Sequence, residues 1–133
     1  MEIGETLELE YQVTEQDLAK NLSIDESDNF PEVLATSRMI TLMELAAARL
    51  MKGQLSKDEL SVGVNVNVNH LAATLNSDTV RVMAQYTGMK GKLFAFKVSL
   101  FDAGGKAGEG THTRAIVETS RLLAGAKNRA PAN

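Results

Sequence analysis

From Met39 to Met51 the chain reads MITLMELAAARLM, with apolar residues at all positions but three and no Gly or Pro. Met, Leu and Ala are strong helix formers, and the run suffices for about three to four turns. Its apolar positions fall on nearly every side of a helical wheel, which predicts a buried helix rather than a surface one. The single acid within it, Glu44, is therefore expected to be cut off from water. A carboxylate in such a place needs a partner or a raised pKa.

Elsewhere the period is two. Ile3 to Val13 alternates, with Ile3, Leu7, Leu9, Tyr11 and Val13 on one side, and predicts a half-buried strand. Thr14 before Glu15, Gln16 and Asp17 caps a short helix through about Asn21, too polar for the core. Leu22 to Asn29 has no clear period and reads as a crossing loop or flap, closed by Phe30 and Pro31. After the helix, Ser61 to Thr74 places Val62, Val64, Val66, Val68 and His70 on one face and Gly63, Asn65, Asn67 and Asn69 on the other. Thr79 to Thr87 and Leu93 to Asp102 form a hairpin across Gly88 and Gly91, with Val80, Val82, Ala84, Tyr86, Phe94, Phe96, Val98 and Leu100 inward. A last strand from about Ala107 to Thr119 bends early at Gly108 and Gly110, and Arg121 to Asn133 reads as a frayed tail. The order predicts an α+β domain in which antiparallel strands in meander-like sequence curl around one helix. One such sheet cannot cover a helix on all sides, so a partner subunit is expected to help.

Composition narrows the chemistry. With 133 residues the chain suits one domain. The balance of 14 basic against 17 acidic residues offers no footprint for nucleic acid or an anionic membrane. The absence of Cys excludes a disulfide framework, a thiolate zinc site and a cysteine nucleophile, and two His give a metal site little support. The opening MEIGETLELE lacks the basic and apolar regions of a signal peptide, and no apolar run reaches membrane-spanning length. A soluble cytoplasmic protein is expected.

Glu44 on the helix and His70 on the facing strand are expected to meet in the core. An acid and an imidazole so placed are the equipment of acid–base catalysis, or equally a buried ion pair with no chemistry. Thr36, near the helix start, is either its N-cap or a hydroxyl beside free backbone N–H groups able to receive a carbonyl oxygen gaining charge. His112 and Arg114 share a parity on the last strand, where Arg114 pairs with an acid or touches a ligand. Gly63 is a bulge or a place of close ligand approach. Lys90 and Lys92 are solvated or meet a phosphate, and the Asn65, Asn67, Asn69 row is an outer surface or a subunit contact.

The stretches FPEVLATSRMITLMELA, VNHLAAT and GTHTRAIV, in this order, resemble the hotdog-fold thioesterases, within them the group typified by fluoroacetyl-CoA thioesterase. The resemblance spans Phe30 to about Val117. It implies the hotdog fold, an antiparallel sheet of about five strands wrapped around one long central helix. It further implies a single domain over residues 1–120, a homodimer joined edge to edge, and hydrolysis of a small acyl-CoA thioester near the dimer interface. Coenzyme A belongs to the substrate, and no other cofactor is implied. Carried over motif by motif, the catalytic Thr, Glu and His correspond to Thr36, Glu44 and His70, while Phe30, Gly63 and Arg114 fall at substrate-binding positions. Two features depart from the family pattern: the stretch SIDESDN ahead of Phe30 holds no second aromatic, and Leu45 stands where the family carries a bulky aromatic. A diverged lid and pocket are expected. A non-catalytic protein binding acyl-CoA or another small ligand, and an enoyl-CoA hydratase or dehydratase, are the alternatives on the same fold.

Overall fold

The computed structural model describes residues 1–131. In chain order it contains β1 (Thr6–Gln12), α1 (Thr36–Leu50), β2 (Glu59–His70), β3 (Thr79–Lys90), β4 (Leu93–Asp102), β5 (Gly105–Glu118) and α2 (Thr119–Arg129). The strands form one antiparallel sheet in the order β1-β3-β4-β5-β2. The expected meander therefore holds only for β3 to β5. Strand β2 crosses to pair with β5 and becomes an edge, and it stops at His70 rather than continuing to Thr74. Residues 121–129, expected to fray, belong to α2, which buries none of its side chains; the end of that expected tail, 132–133, lies outside the described residues.

One face of the sheet carries the core. Val80, Val82, Ala84, Tyr86, Phe96, Val98 and Leu100 are buried as their alternation predicts, against Met39, Leu42, Met43, Ala46 and Ala47 of α1. Each fully buried side chain of Val or Leu size contributes about 1.5–3 kcal/mol. Gly108 is a close-approach position rather than a bend: a Cβ there would run into the Met39 side chain. The helix is not buried on all sides. Ser37, Thr41, Leu45 and Arg49 form an open stripe, with Leu45 41% exposed. The Glu44 side chain, expected to be sealed from water, is 38% exposed beside that stripe. The wheel misleads because Ala46 and Ala47 let the sheet approach one face closely while the opposite face stays open.

A bulge in β2 between Gly63 and Asn65 changes which residues face the helix. Beyond it, Val66 lies opposite His112 on β5, and Val66, Val68 and His70 keep the inward parity. Before it, Gly63 lies opposite Arg114 and turns inward, while Val64 is 54% exposed. One extra residue in a strand exchanges its two faces.

The start of α1 is fixed from an unexpected direction. Instead of a helix, residues 15–22 make two 3₁₀ turns, and Asp17 within them is 1% exposed despite its polar neighbourhood. Its carboxylate accepts hydrogen bonds from the Tyr11 hydroxyl (2.6 Å), the Thr14 amide (2.8 Å) and hydroxyl (3.0 Å), and Arg38 Nε (2.9 Å). Arg38 Nη2 completes a 2.8 Å ion pair, and the Asp17 carbonyl accepts from the Ala35 amide. This cluster ties β1 to the first turn of α1. Burial pushes the Asp17 carboxyl up, but the bonds from Tyr11, Thr14 and Arg38 outweigh it and hold the group below the ordinary carboxylate range. A depressed folded-state pKa stabilises the fold above the ordinary range, and this contribution is lost as pH falls through that range toward the folded value. Asp17→Asn is expected to lower the unfolding free energy by about 2–4 kcal/mol at neutral pH. Denaturation across a pH series checks it: the gap between wild type and variant must close in acid, and a gap independent of pH would refute this account of Asp17.

Candidate functional site

Thr36 is the first residue of α1, and the N-cap is Ala35, with no side chain capping the turn. The threonine hydroxyl is therefore not spent on the helix, and Thr36 Oγ1 lies 2.8 Å from His70 Nδ1 at the end of β2. His70 Nε2 is buried and has no hydrogen-bond partner among the described residues. Both residues line a cleft of about 430 Å³ with Phe30, Val33, Leu34 and Leu71. Phe30 is 50% exposed at its rim, carried by a segment that pairs with the chain on both sides. The Ala19 amide donates to the Val33 carbonyl, the Lys20 amide to Pro31, and the Leu34 amide to Thr74. The preceding loop folds on itself, with the Asp28 carboxylate accepting from the Ile24 and Asp25 amides.

Glu44, two turns further along α1, has a different partner. Its Oε2 accepts from Arg114 Nη1 at 3.0 Å. Arg114 also donates from Nε to Ser61 Oγ (2.9 Å), from Nη2 to the Ser61 carbonyl (2.9 Å), and from Nη1 to His112 Nε2 (3.1 Å). Gly63 makes this arrangement possible: a Cβ there would stand 2.5 Å from Glu44 Oε2.

The six candidate residues thus fall into two groups of three, Phe30 with Thr36 and His70, and Gly63 with Glu44 and Arg114. The expected contact between Glu44 and His70 is not made within one chain; each has taken another partner. Eight residues of helix separate Thr36 from Glu44, about 12 Å along the axis. The first group offers a hydroxyl, an imidazole and the positive end of a helix, suited to a polarised carbonyl. The second offers a carboxylate held by a guanidinium. Lys90 borders a second cavity with Thr87, Thr111 and Thr113, which reaches the Arg114 group through His112. Sequence reasoning missed Ser61, whose only signal is its β2 position, and the Asp17–Arg38 clamp, whose partners lie far apart along the chain. Gly63→Ala is expected to drive the Glu44 carboxylate off Arg114 while lowering stability by about 1–3 kcal/mol, since the obstructing atom ends a flexible side chain. A structure of the variant with an unmoved carboxylate would refute this role for Gly63.

Comparisons with known proteins identify the family. The family described as fluoroacetyl-CoA-specific thioesterase matches residues 13–120. The fluoroacetyl-CoA thioesterase of Streptantibioticus cattleyicolor is 33% identical over 134 residues, covering 99% of this chain and 96% of that protein. A solved structure of the fluoroacetyl-CoA thioesterase FlK superimposes with a TM-score of 0.91 at 33% identity, covering 98% of each chain. A thioesterase superfamily member from Thermus thermophilus follows with a TM-score of 0.84 at 25% identity, over 96% of this chain and 91% of that one. The five-stranded sheet around α1 is accordingly the hotdog fold, as the sequence resemblance implied. The chain belongs to the fluoroacetyl-CoA-specific thioesterase family.

Proposed function

We propose that the protein hydrolyses small acyl-CoA thioesters at a site completed by two copies of the chain. The observation that carries this reading is the 2.8 Å Thr36–His70 couple at the uncapped start of α1, inside a cleft. A thioester carbonyl seated there meets the Thr36 hydroxyl and the first-turn N–H groups, which stabilise the oxyanion of the tetrahedral intermediate. His70 donates from Nδ1–H to Thr36 Oγ1, which leaves the hydroxyl hydrogen for the oxyanion, and relays through its bare Nε2 the proton taken from water to the departing thiolate. Glu44 acts as base toward water, or attacks the carbonyl itself and expels the thiolate to form an anhydride that water then hydrolyses. The products are a free carboxylic acid and the coenzyme A thiol. Support for the substrate class comes from family membership and from a relative solved with fluoroacetate and CoA.

The carboxylate for each site comes from the partner subunit. Strand β2 is an unpaired edge, and Val64, Leu71 and Leu45 on or beside it expose apolar surface. Antiparallel pairing of β2 with its own copy about a two-fold axis between Val66 and Asn67 sets His70 beside the partner's Gly63. The partner subunit's Glu44 then approaches Thr36 and His70. The reading makes the protein a cytoplasmic homodimer whose chemistry calls for no metal or prosthetic group. Among the described residues no helix is long and apolar enough to cross a membrane. Phe30 screens the bound acyl group from solvent, and the lid and Leu45 set a preference that differs from the fluoroacetyl group.

Thiol release from short, branched, aromatic and fluorinated acyl-CoAs tests the activity. Glu44→Ala and His70→Ala are each expected to lower kcat by about 10²- to 10⁴-fold in folded protein. Ligand retention with no thiol release by the wild type would make the protein a binding module instead. Mixing Glu44→Gln and His70→Ala homodimers tests the shared site. Subunit exchange leaves one intact site in each heterodimer, so activity should recover to about a quarter of wild type. No recovery despite proven exchange would place the whole site within one chain.

A further inference from the structure

We propose that His112 is a positioning residue which, as the neutral Nδ1–H tautomer, holds the Arg114 guanidinium against Glu44. The side chain is 1% exposed on β5, opposite Val66 of β2 and Phe96 of β4, with its ring centroid 6.3 Å from that of Phe96. Its Nδ1 lies 2.8 Å from the Asn65 carbonyl oxygen, which can only accept, so Nδ1 carries a hydrogen. Its Nε2 lies 3.1 Å from Arg114 Nη1, which can only donate, so Nε2 is bare. Of the three states of an imidazole, only the neutral Nδ1–H form satisfies both neighbours. The partners alone fix the tautomer.

The consequence reaches Glu44 at one remove. Arg114 Nη1 has two hydrogens, one given to Glu44 Oε2 and one to His112 Nε2, while Nε and Nη2 are taken by Ser61. Without the His112 acceptor, Nη1 keeps a buried unspent donor and the guanidinium is free to turn. The half-exposed Glu44 carboxylate has no other side-chain partner among the described residues, so it moves with Arg114. Burial pushes the His112 imidazole below its ordinary pKa; the Asn65 carbonyl opposes this, the Arg114 charge adds to it, and Glu44 opposes it, with a net lowering. The charged groups facing the ring are Arg114 from β5 and Glu44 from α1, with Lys90 of β3 bordering the adjoining cavity; β2 presents a carbonyl and β4 the Phe96 ring, neither of which titrates. Protonation would set an N–H against the guanidinium and release it.

This inference deepens the hydrolase reading and rests on Glu44 being a working group, but its first test does not use activity. Long-range ¹⁵N–¹H correlation of the ring nitrogens should find His112 as the Nδ1–H tautomer at neutral pH, protonating only below the ordinary imidazole pKa. An Nε2–H tautomer, or an imidazolium at neutral pH, overturns the proposal. The second test compares His112→Asn with His112→Gln, each checked for folding by near-ultraviolet circular dichroism. Asn keeps the donor to Asn65 but stops short of Arg114, whereas Gln reaches far enough to accept from Nη1. On the best acyl-CoA, His112→Asn should lose kcat on the order of 10- to 100-fold with little change in KM, and His112→Gln should recover most of it. Equal kcat for folded Asn and Gln variants overturns the proposal. A wild type that releases no thiol from any thioester refutes the hydrolase reading instead, and the tautomer then decides the role of His112 alone.

Discussion

A helix is a rigid ruler, and α1 holds its two chemically useful points, Thr36 and Glu44, about 12 Å apart. No side-chain rotation closes that gap. Each point has therefore recruited a partner from a different part of the edge strand and its neighbour: His70 for the hydroxyl, and Arg114 beside Gly63 for the carboxylate. Much of the surrounding architecture serves this spacing. The Asp17 cluster fixes where the helix begins, the β2 bulge decides which strand residues face it, and Gly108 lets β5 come close enough to seat Met39.

The two couples differ in what they lack. Thr36 and His70 sit in a cleft with a helix N-terminus and an apolar rim, but without a carboxylate. Glu44 is anchored and half open to solvent on the stripe that the sheet leaves uncovered. An unpaired edge strand beside an uncovered helix face is a surface that a second copy can complete. On this reading the symmetry of the dimer does what one chain's geometry forbids.

Buried polar groups carry the specificity of the fold. Asp17 and Arg114 each sit where an unpaired charge would be costly, and each is surrounded by partners that fix its plane as well as its charge. Their neighbours are held in turn: Arg38 and Tyr11 by the first, Ser61 and His112 by the second. In both clusters a carboxylate and a guanidinium join the helix to the sheet, which ties the position of α1 to electrostatics as well as to packing.

By itself the sequence determined what is local. The helix-forming run, the alternation of β3 and β4 and the motifs around Thr36, Glu44 and His70 are written in near neighbours, so element types, inward faces and family were legible. Strand pairing, bulges and carboxylate environments are not local. That β2 crosses to β5, that Val64 turns out while Gly63 turns in, and that Glu44 meets Arg114 rather than His70 depend on residues dozens of positions away. Asp17 was hidden for the same reason: among polar neighbours it looks solvated, and only the folded chain brings Tyr11 and Arg38 around it. Hydrophobic periodicity tells a residue which way to face, whereas its partner is chosen by where the rest of the chain arrives.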